Sequence, residues 1–442
     1  MPHQIRSGAD MAHTATYDKL AAMPDRKSSS RLPIRARLAL RAAATARWAS
    51  QKTGRGKGSM IGGLVALKID PQLLGTLARD KRTVIITGTN GKSTTTRMTA
   101  AALAQLGDVA SQADGANMDA GIVAALSLNR PARIAALEVD ELHVPHVADA
   151  TDPQAFVLLN LSRDQLDRVG EINMIERRLR EGINKHPQAA VIANCDDVLI
   201  TSAAYDAPNA IWVAAGAGWA GDSVSCPRSG EPILRDGDHW YSTGADFQRP
   251  KPAWWFDDTH VYGPDGFSHP MELAVPGKAN RGNATQAIAA AVAMGADPAK
   301  ATIAVGTVGE VAGRYSVQQV GQHRVRMLLA KNPAGWQEAM AMIDQDADGL
   351  VIAVNGQVPD GEDLSWLWDV RFEAFESMQV VAAGERATDL GVRLLYAGAE
   401  HTTIADPMAA IASCPPGRVE VLANYTAFRD LGTALARAQK GV

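Results

Sequence analysis

From about Lys81 the chain alternates short aliphatic runs with longer stretches of helical spacing. Val84–Ile86, Ile134–Val139, Ala155–Leu159 and Ala190–Ala193 are nearly continuous apolar runs closed by polar residues. Such runs predict strands buried on both faces, and the helical stretches between them predict an α/β domain with a parallel-rich sheet. The pattern breaks over about 214–262, where Gly, Asp, Ser and Trp dominate, and this stretch reads as a β-rich insert. Helical spacing returns at Asn283–Met294. Turn-rich sequence from Gly313 to Gln322 then sets off a second α/β domain. Its strands are predicted at Val325–Leu329, Gly349–Val354, Gln379–Ala382 and Val419–Leu422, with helices at Gly335–Ile343 and Arg386–Leu394.

Residues 1–31 carry His, Ser, Asp and Lys without a period and predict a disordered extension. Residues 32–53 predict a basic helix with Arg35, Arg37, Arg41 and Arg47 beside Leu38, Leu40 and Trp48. Two readings stand for it: a solvated helix packed on the body, or an interfacial helix drawn to anionic headgroups. Its thin apolar face favours the first. The domain plan is therefore 54–318 followed by 319–442.

The 442 residues allow two or three cores. A net charge of -4 counts against a nucleic-acid partner. Cys195, Cys226 and Cys414 are too few and too scattered for a disulfide framework. No apolar run approaches a membrane span, and the N-terminus lacks the features of a signal peptide. A cytoplasmic protein is expected.

The chemistry concentrates after the first strand, in Thr87-Gly88-Thr89-Asn90-Gly91-Lys92-Ser93-Thr94. A strand, a glycine-rich turn and a helix N-terminus in that order cradle a polyphosphate. Lys92 can reach the β- and γ-phosphates, and the Ser93 or Thr94 hydroxyl can hold Mg²⁺. Glu138-Val139-Asp140-Glu141 closes another strand, where carboxylates face the ligand crevice, and Glu138 is the best Mg²⁺ candidate beside Ser93. Asn160 to Glu171 forms a dense polar run after a third strand. Asn194, Asp196 and Asp197 follow a fourth and could reach nucleotide or sugar hydroxyls.

The loop departs from the generic P-loop, which would place its first glycine at Ile86. Its spelling, T-G-T-N-G-K-S-T, resembles the ATP loop of the Mur ligases, enzymes that join an amine to a carboxylate through an acyl phosphate. The segment Gly277-Lys278-Ala279-Asn280-Arg281-Gly282-Asn283-Ala284 and the pair Gly313-Arg314 match that family's adenine and phosphate contacts, which assigns Asn283 and Arg314 to the nucleotide. In the second domain, Lys331-Asn332-Pro333-Ala334-Gly335, the D-G-x-D-x-S-W-x-W-D run from Asp360 to Asp369, and Asn424-Tyr425-Thr426 are similar to the MurT-like subunits of lipid II isoglutaminyl synthases.

That resemblance implies a Mur-ligase-type ATPase domain with a parallel-rich sheet and a β-rich insert, then a Rossmann-like C-terminal domain. It implies ATP and Mg²⁺, and amidation of the D-Glu α-carboxylate of the lipid II stem peptide to D-isoglutamine at the cytoplasmic membrane face. It also implies a GatD-type glutaminase partner that delivers ammonia and whose catalytic triad is completed by Asp363. On this reading Lys92, Glu138 and Asp363 are the catalytic residues. Gly88, Thr89, Asn90, Gly91, Lys92, Ser93 and Thr94 hold the nucleotide. None of the three cysteines sits in a nucleophile turn, so nitrogen must arrive free or from a partner. Without the family, Asp363 reads as an Asx-turn residue.

Three departures stand out. Relatives often carry a four-cysteine zinc ribbon in the insert; only Cys226 is retained here, so no zinc site is expected and Trp and Tyr packing should hold the insert. Gly356 replaces an acidic residue after Asn355. The segment Arg177, Arg178, Arg180 offers no lysine for carbamylation before Lys185. The alternatives are a Mur or folylpolyglutamate-type amino-acid ligase, and a non-catalytic ATP-binding scaffold.

Overall fold

The computed structural model describes residues 32–52, 59–112, 115–163, 169–217, 221–309, 315–361, 363–375 and 378–439. The predicted 1–31 extension lies outside them. The chain divides into two units, residues 1–161 with 170–309 and residues 162–169 with 310–442.

The first unit is built on a six-stranded, wholly parallel sheet: β1 (Arg82–Thr87), β2 (Val109–Ser111), β3 (Ile134–Glu138), β4 (Ala155–Leu158), β5 (Ala190–Asn194) and β6 (Ala210–Val213), in the order β2-β3-β1-β4-β5-β6. Its helices are α1 (Ile34–Lys52), α2 (Ser59–Ile69), α3 (Leu73–Ala78), α4 (Lys92–Leu103), α5 (Asp119–Leu128), α6 (Val144–Thr151), α7 (Val169–Asn184), α8 (Val198–Ala204), α9 (Lys278–Ala293) and α10 (Pro298–Gly306). Successive strand residues alternate between two cores. Ile85, Leu137, Phe156 and Val191 face one with α1, α3 and α5, while Val84, Ile86, Val157 and Ile192 face the other with α4, α9 and α10. Covering both faces is what makes these strands read as unbroken apolar runs.

Strand order reverses between β1 and β4, so their C-terminal ends open a crevice of the kind that takes ligands. Both edge strands, β2 and β6, escaped the sequence reading; each is too short to carry a pattern. The 214–262 stretch holds the hairpin β7 (Ile233–Asp236) and β8 (His239–Ser242), then β9 (Trp255–Phe256) and β10 (His260–Tyr262); β10 is central and pairs antiparallel with β9 on one side and β11 (Ser268–Pro270) on the other. Trp240 anchors the hairpin: it is fully buried with Cys226, Ile233 and Phe247, and its indole N–H donates to the Cys195 carbonyl at 3.0 Å. Tyr241 is exposed, while Tyr262 of the same insert stacks on Trp255 with ring centroids 5.4 Å apart.

The second unit has a mixed sheet: β12 (Tyr315–Val320), β13 (His323–Leu329), β14 (Gly349–Ala353), β15 (Val380–Ala383), β16 (His401–Thr403) and β17 (Gly417–Ala423), in the order β12-β13-β17-β14-β15-β16. Only β12 runs antiparallel to its neighbour. Its helices are α11 (Pro333–Met340), α12 (Ala387–Tyr396), α13 (Pro407–Ser413) and α14 (Tyr425–Gln439). Strand β12 occupies the stretch expected to be turn-rich. Among the described residues of that stretch the turn is at Gly321, with φ 55°, and Gln322. A half-exposed edge strand rich in Ser and Gln has too few apolar positions to announce itself. No helix among the described residues is long and apolar enough to cross a membrane.

Candidate active site and family

The site grows from the C-terminal ends of β1, β3 and β4. Ile86 of β1 lies level with Glu138 of β3 and Val157 of β4, so the residues that follow each strand emerge together. Gly88 and Gly91 take φ of 140° and 83°. A Cβ on Gly88 would come within 2.8 Å of Leu159 Cβ, and one on Gly91 within 2.8 Å of Asn283 Oδ1. Glycine is needed at both places for conformation and for space. The turn is pinned from β4: Thr89 N–H donates to the Asn160 carbonyl at 2.9 Å and Asn90 N–H to Asn160 Oδ1 at 2.8 Å. Asn160 Nδ2 returns a bond to the Asn90 carbonyl at 3.1 Å.

Lys92 opens α4 directly after Gly91, with its ammonium turned back over the loop. It donates to the carbonyls of Gly88 and, at 3.2 Å, Thr89, and pairs with the Glu141 carboxylate at 3.3 Å. Ser93 Oγ donates to Glu138 Oε1 at 3.1 Å. Across from that pair, a Cβ on Gly115 would sit 3.3 Å from Ser93 Oγ and 3.9 Å from both Glu138 carboxylate oxygens. Of the two candidate hydroxyl residues, Ser93 meets the carboxylate, while Thr94 is buried in the helix.

The three acids of the β3 terminus part ways. Glu138 goes to Ser93 and Glu141 to Lys92, while Asp140 Oδ1 accepts the Leu142 N–H at 3.2 Å and shapes the turn. Gln112 was not singled out by sequence. Its amide grips the Glu138 peptide from both sides, donating to the carbonyl at 2.7 Å and accepting the N–H at 3.0 Å. Nothing local could reveal it, because β2 itself was not legible.

The donor set fits Mg²⁺-nucleotide. Mg²⁺ takes one or two protein oxygens and completes its shell with water and phosphate, and a hydroxyl beside a carboxylate on a phosphate loop is that kind of pair. Asn283 lies in the second turn of α9, not at its start, and faces Gly91; Gly277 precedes the helix instead. Gln286 of the same helix donates to the Leu158 carbonyl at 2.8 Å and ties α9 to the end of β4. Arg314 lies outside the described residues.

Asn194, Asp196 and Asp197 are committed to the protein rather than offered to a ligand. Asn194 Nδ2 bridges the carbonyls of Leu159 and Gly216 at 3.1 and 3.0 Å. Asp196 pairs with Arg249 at 2.6 Å. Asp197 caps α8 through Ile200 N–H at 2.9 Å and accepts Leu161 N–H at 3.0 Å. Burial pushes the Asp197 carboxyl up to about 6 despite those bonds.

In the second unit the three motifs converge at the C-terminal edge of the sheet. Asn355 N–H donates to Asn424 Oδ1 at 3.0 Å, and Asn424 Nδ2 donates to the Asn355 carbonyl at 2.7 Å. Asp360 accepts the Thr426 N–H at 2.9 Å and the Thr426 hydroxyl. Asn332 caps α11 through Gly335 N–H at 2.8 Å, two residues ahead of the expected helix start, with Pro333 inside the first turn. Lys331 Nζ lies 4.9 Å from the Tyr425 ring centroid.

Asp363 is exposed, and its Oδ1 accepts the Ser365 N–H at 2.8 Å. That bond holds its carboxyl below the ordinary aspartate range, so it is ionised at neutral pH. The Asx turn expected from sequence is therefore present. It leads into a 3₁₀ turn, Ser365–Trp368, that buries Trp366 and exposes Trp368.

Among the described residues no group of three or more His, Cys, Asp or Glu side chains is placed to hold a metal ion. The two oxygens of Ser93 and Glu138 suit a cation whose remaining ligands come from its nucleotide.

Comparison with known proteins agrees with this geometry. Residues 86–291 match the Mur ligase middle domain and residues 329–428 the MurT ligase C-terminal domain. The chain is 29% identical to the MurT subunit of the glutamine-hydrolysing lipid II isoglutaminyl synthase of Streptococcus pneumoniae, over 87% of this chain and 94% of that one. It is 27% identical to the subunit of the same name from Staphylococcus aureus, over 91% and 98%. A pseudomurein peptide ligase type C from Methanothermus fervidus has the same fold, with a TM-score of 0.62 at 18% identity, covering 81% of this chain and 78% of that one. Two domain matches in the order Mur middle then MurT C-terminal, within full-length similarity to MurT subunits, place this chain in the MurT branch of the Mur ligase family.

Proposed function

We propose that the chain is the synthetase subunit of a glutamine-dependent amidotransferase that uses ATP to amidate the D-Glu α-carboxylate of the lipid II stem peptide. The observation that carries this is the meeting of Lys92, Ser93 and Glu138 on one glycine turn, in a chain whose second unit has the MurT C-terminal sequence. A carboxylate resists nucleophiles because it is already negative. ATP would supply the phosphoryl group that converts it to an acyl phosphate, and Mg²⁺ would shield the phosphate charge. The loop N–H groups and the α4 N-terminus would hold the phosphates, Lys92 would leave Glu141 for the transferring phosphoryl, and Ser93 with Glu138 would hold the cation. Asn283, packed on Gly91, would bound the nucleotide pocket, and Arg314 would reach its phosphates. Ammonia then attacks the carbonyl carbon, loses a proton, and phosphate departs with the former carboxylate oxygen.

Ammonia would come from a GatD-type glutaminase. Asp363 supports this reading, since an exposed, ionised aspartate can orient a partner's catalytic histidine. The turn that Asp363 opens carries exposed apolar surface: Trp368 packs edge-on to Tyr396 at 5.4 Å, and Leu395 and Val392 of the same α12 are exposed. The proposed substrate is lipid-linked, so the chain would work at the cytoplasmic face of the membrane.

The deciding test is Lys92→Ala in the reconstituted pair, with ATP, glutamine and a D-Glu-containing lipid precursor. Amide formation followed by mass spectrometry should fall by about 10²–10³-fold. Undiminished product would refute the reading.

A further inference from the structure

The structure exposes an unexpected face of α1. The helix packs inward through its small residues: Ala36, Ala39 and Ser50 are buried. A Cβ on Gly62 of α2 would come 3.0 Å from the Ala43 carbonyl, so the two helices approach closely there. Arg35 is spent on this packing, since its Nε donates to the Ile69 carbonyl at the end of α2 at 2.6 Å. Leu40 packs inward with the small residues, while the other three large apolar residues point the other way. Ile34 is 69% exposed, Leu38 55% and Trp48 59%. Ile34, Leu38, Arg41, Thr45, Trp48 and Lys52 recur at intervals of three and four, and so form a single outward stripe.

Charge follows the same sorting. Helix α1 carries five basic residues and no acid, in a chain whose net charge is -4. Arg37 and Arg41 make no ion pair among the described residues. Lys52 Nζ lies over the Trp48 ring at 4.9 Å from its centroid. Alongside, α2 exposes Ile61 and Leu64. A solvated helix puts its large apolar residues inward and its small ones anywhere; α1 turns only Leu40 inward and leaves Ile34, Leu38 and Trp48 outside.

We propose that the outward face of α1 docks on an anionic lipid bilayer. Ile34, Leu38 and Trp48 would enter the headgroup boundary, and Arg37, Arg41 and Lys52 would pair with lipid phosphates. Trp suits that boundary because its ring is apolar and its N–H is polar. This rests on the reading above of a membrane-held substrate and gives that reading a surface.

The test is co-sedimentation of the full chain with vesicles, of phosphatidylcholine alone or mixed with phosphatidylglycerol. Pelleting is expected with the mixed vesicles, and should be lost in high salt and absent with phosphatidylcholine. The double variant Arg37→Ala/Arg41→Ala should weaken partitioning by about 25-fold, and Trp48→Ala should weaken it further. Wild-type protein that ignores anionic vesicles, or variants that bind as well as wild type, would overturn the proposal. So would a dimer in sedimentation velocity that Trp48→Ala dissociates, because a second copy would then cover the face. ATP-dependent amidation in detergent, without vesicles, should be unchanged in these variants. Its absence in the wild type would count against the catalytic reading, while the vesicle result would still decide this one.

Discussion

Asp360 and Asp363 belong to one short motif and meet different needs. Asp360 is consumed inside the fold, where it caps the start of α14 through Thr426. Asp363 is outside it, with one carboxylate oxygen anchored by Ser365 and its charge secured at neutral pH. This division predicts opposite consequences for substitution. Asp363→Asn keeps the turn, because Asn Oδ1 can accept the same N–H, but removes the charge that a partner's imidazolium would need. Glutamine-driven amidation should fall by about 10²-fold or more, as expected when a charge that orients a catalytic histidine is lost, while amidation from added ammonium should hold. Measuring both nitrogen sources side by side checks this; equal loss from both would place Asp363 in the synthetase chemistry. The motif was legible as a string, but the separation of roles was not, because it depends on Thr426, which is distant in sequence and adjacent in space.

At the scale of elements, short loops bind the strand ends of the first unit together, and Asp197 is one such joint. It receives two backbone N–H groups, from Ile200 of α8 and from Leu161 after β4, in a half-buried setting. Its carboxyl is raised to about 6 from an ordinary 3.8. The folded protein therefore holds a proton there that the unfolded chain has already released. Stability from this group is fullest below about pH 3.8, declines as pH rises toward 6, and is lost above it, a change on the order of 1–3 kcal/mol. Asp197→Asn should remove that slope, so that wild type and variant, melted side by side between pH 4 and 7, diverge with pH only through this group. A constant difference across the range would show that the carboxyl titrates normally. The strands of this sheet were legible because burial on both faces leaves an unbroken apolar run. Edge strands β2, β6, β12 and β16 were not, since an edge needs only a few residues and one covered face.

Over the whole molecule, exposed apolar surface marks where the protein expects company. Trp368, five residues after Asp363, packs on Tyr396 and both are exposed, as is Leu395, and aromatic residues of this kind anchor protein interfaces. Trp368→Ala should weaken binding of the glutaminase by about 30-fold, readable by titration calorimetry, with ammonium-driven amidation retained. Unchanged affinity would move the interface elsewhere. The face of α1 is the counterpart in the first unit, apolar but edged with arginine, and so suited to headgroups rather than to protein.

The sequence by itself determined the glycine turn before Lys92, the buried strands and the family, because each is written in neighbouring residues through backbone conformation, periodicity or a short motif. Only the tertiary structure decided that Ser93 rather than Thr94 meets Glu138, that Gln112 holds the Glu138 peptide, and that Asn194, Asp196 and Asp197 brace loops. It also decided that α1 turns its largest apolar side chains outward. In each case the partner lies far along the chain, or the choice rests on which face of a helix packing leaves free.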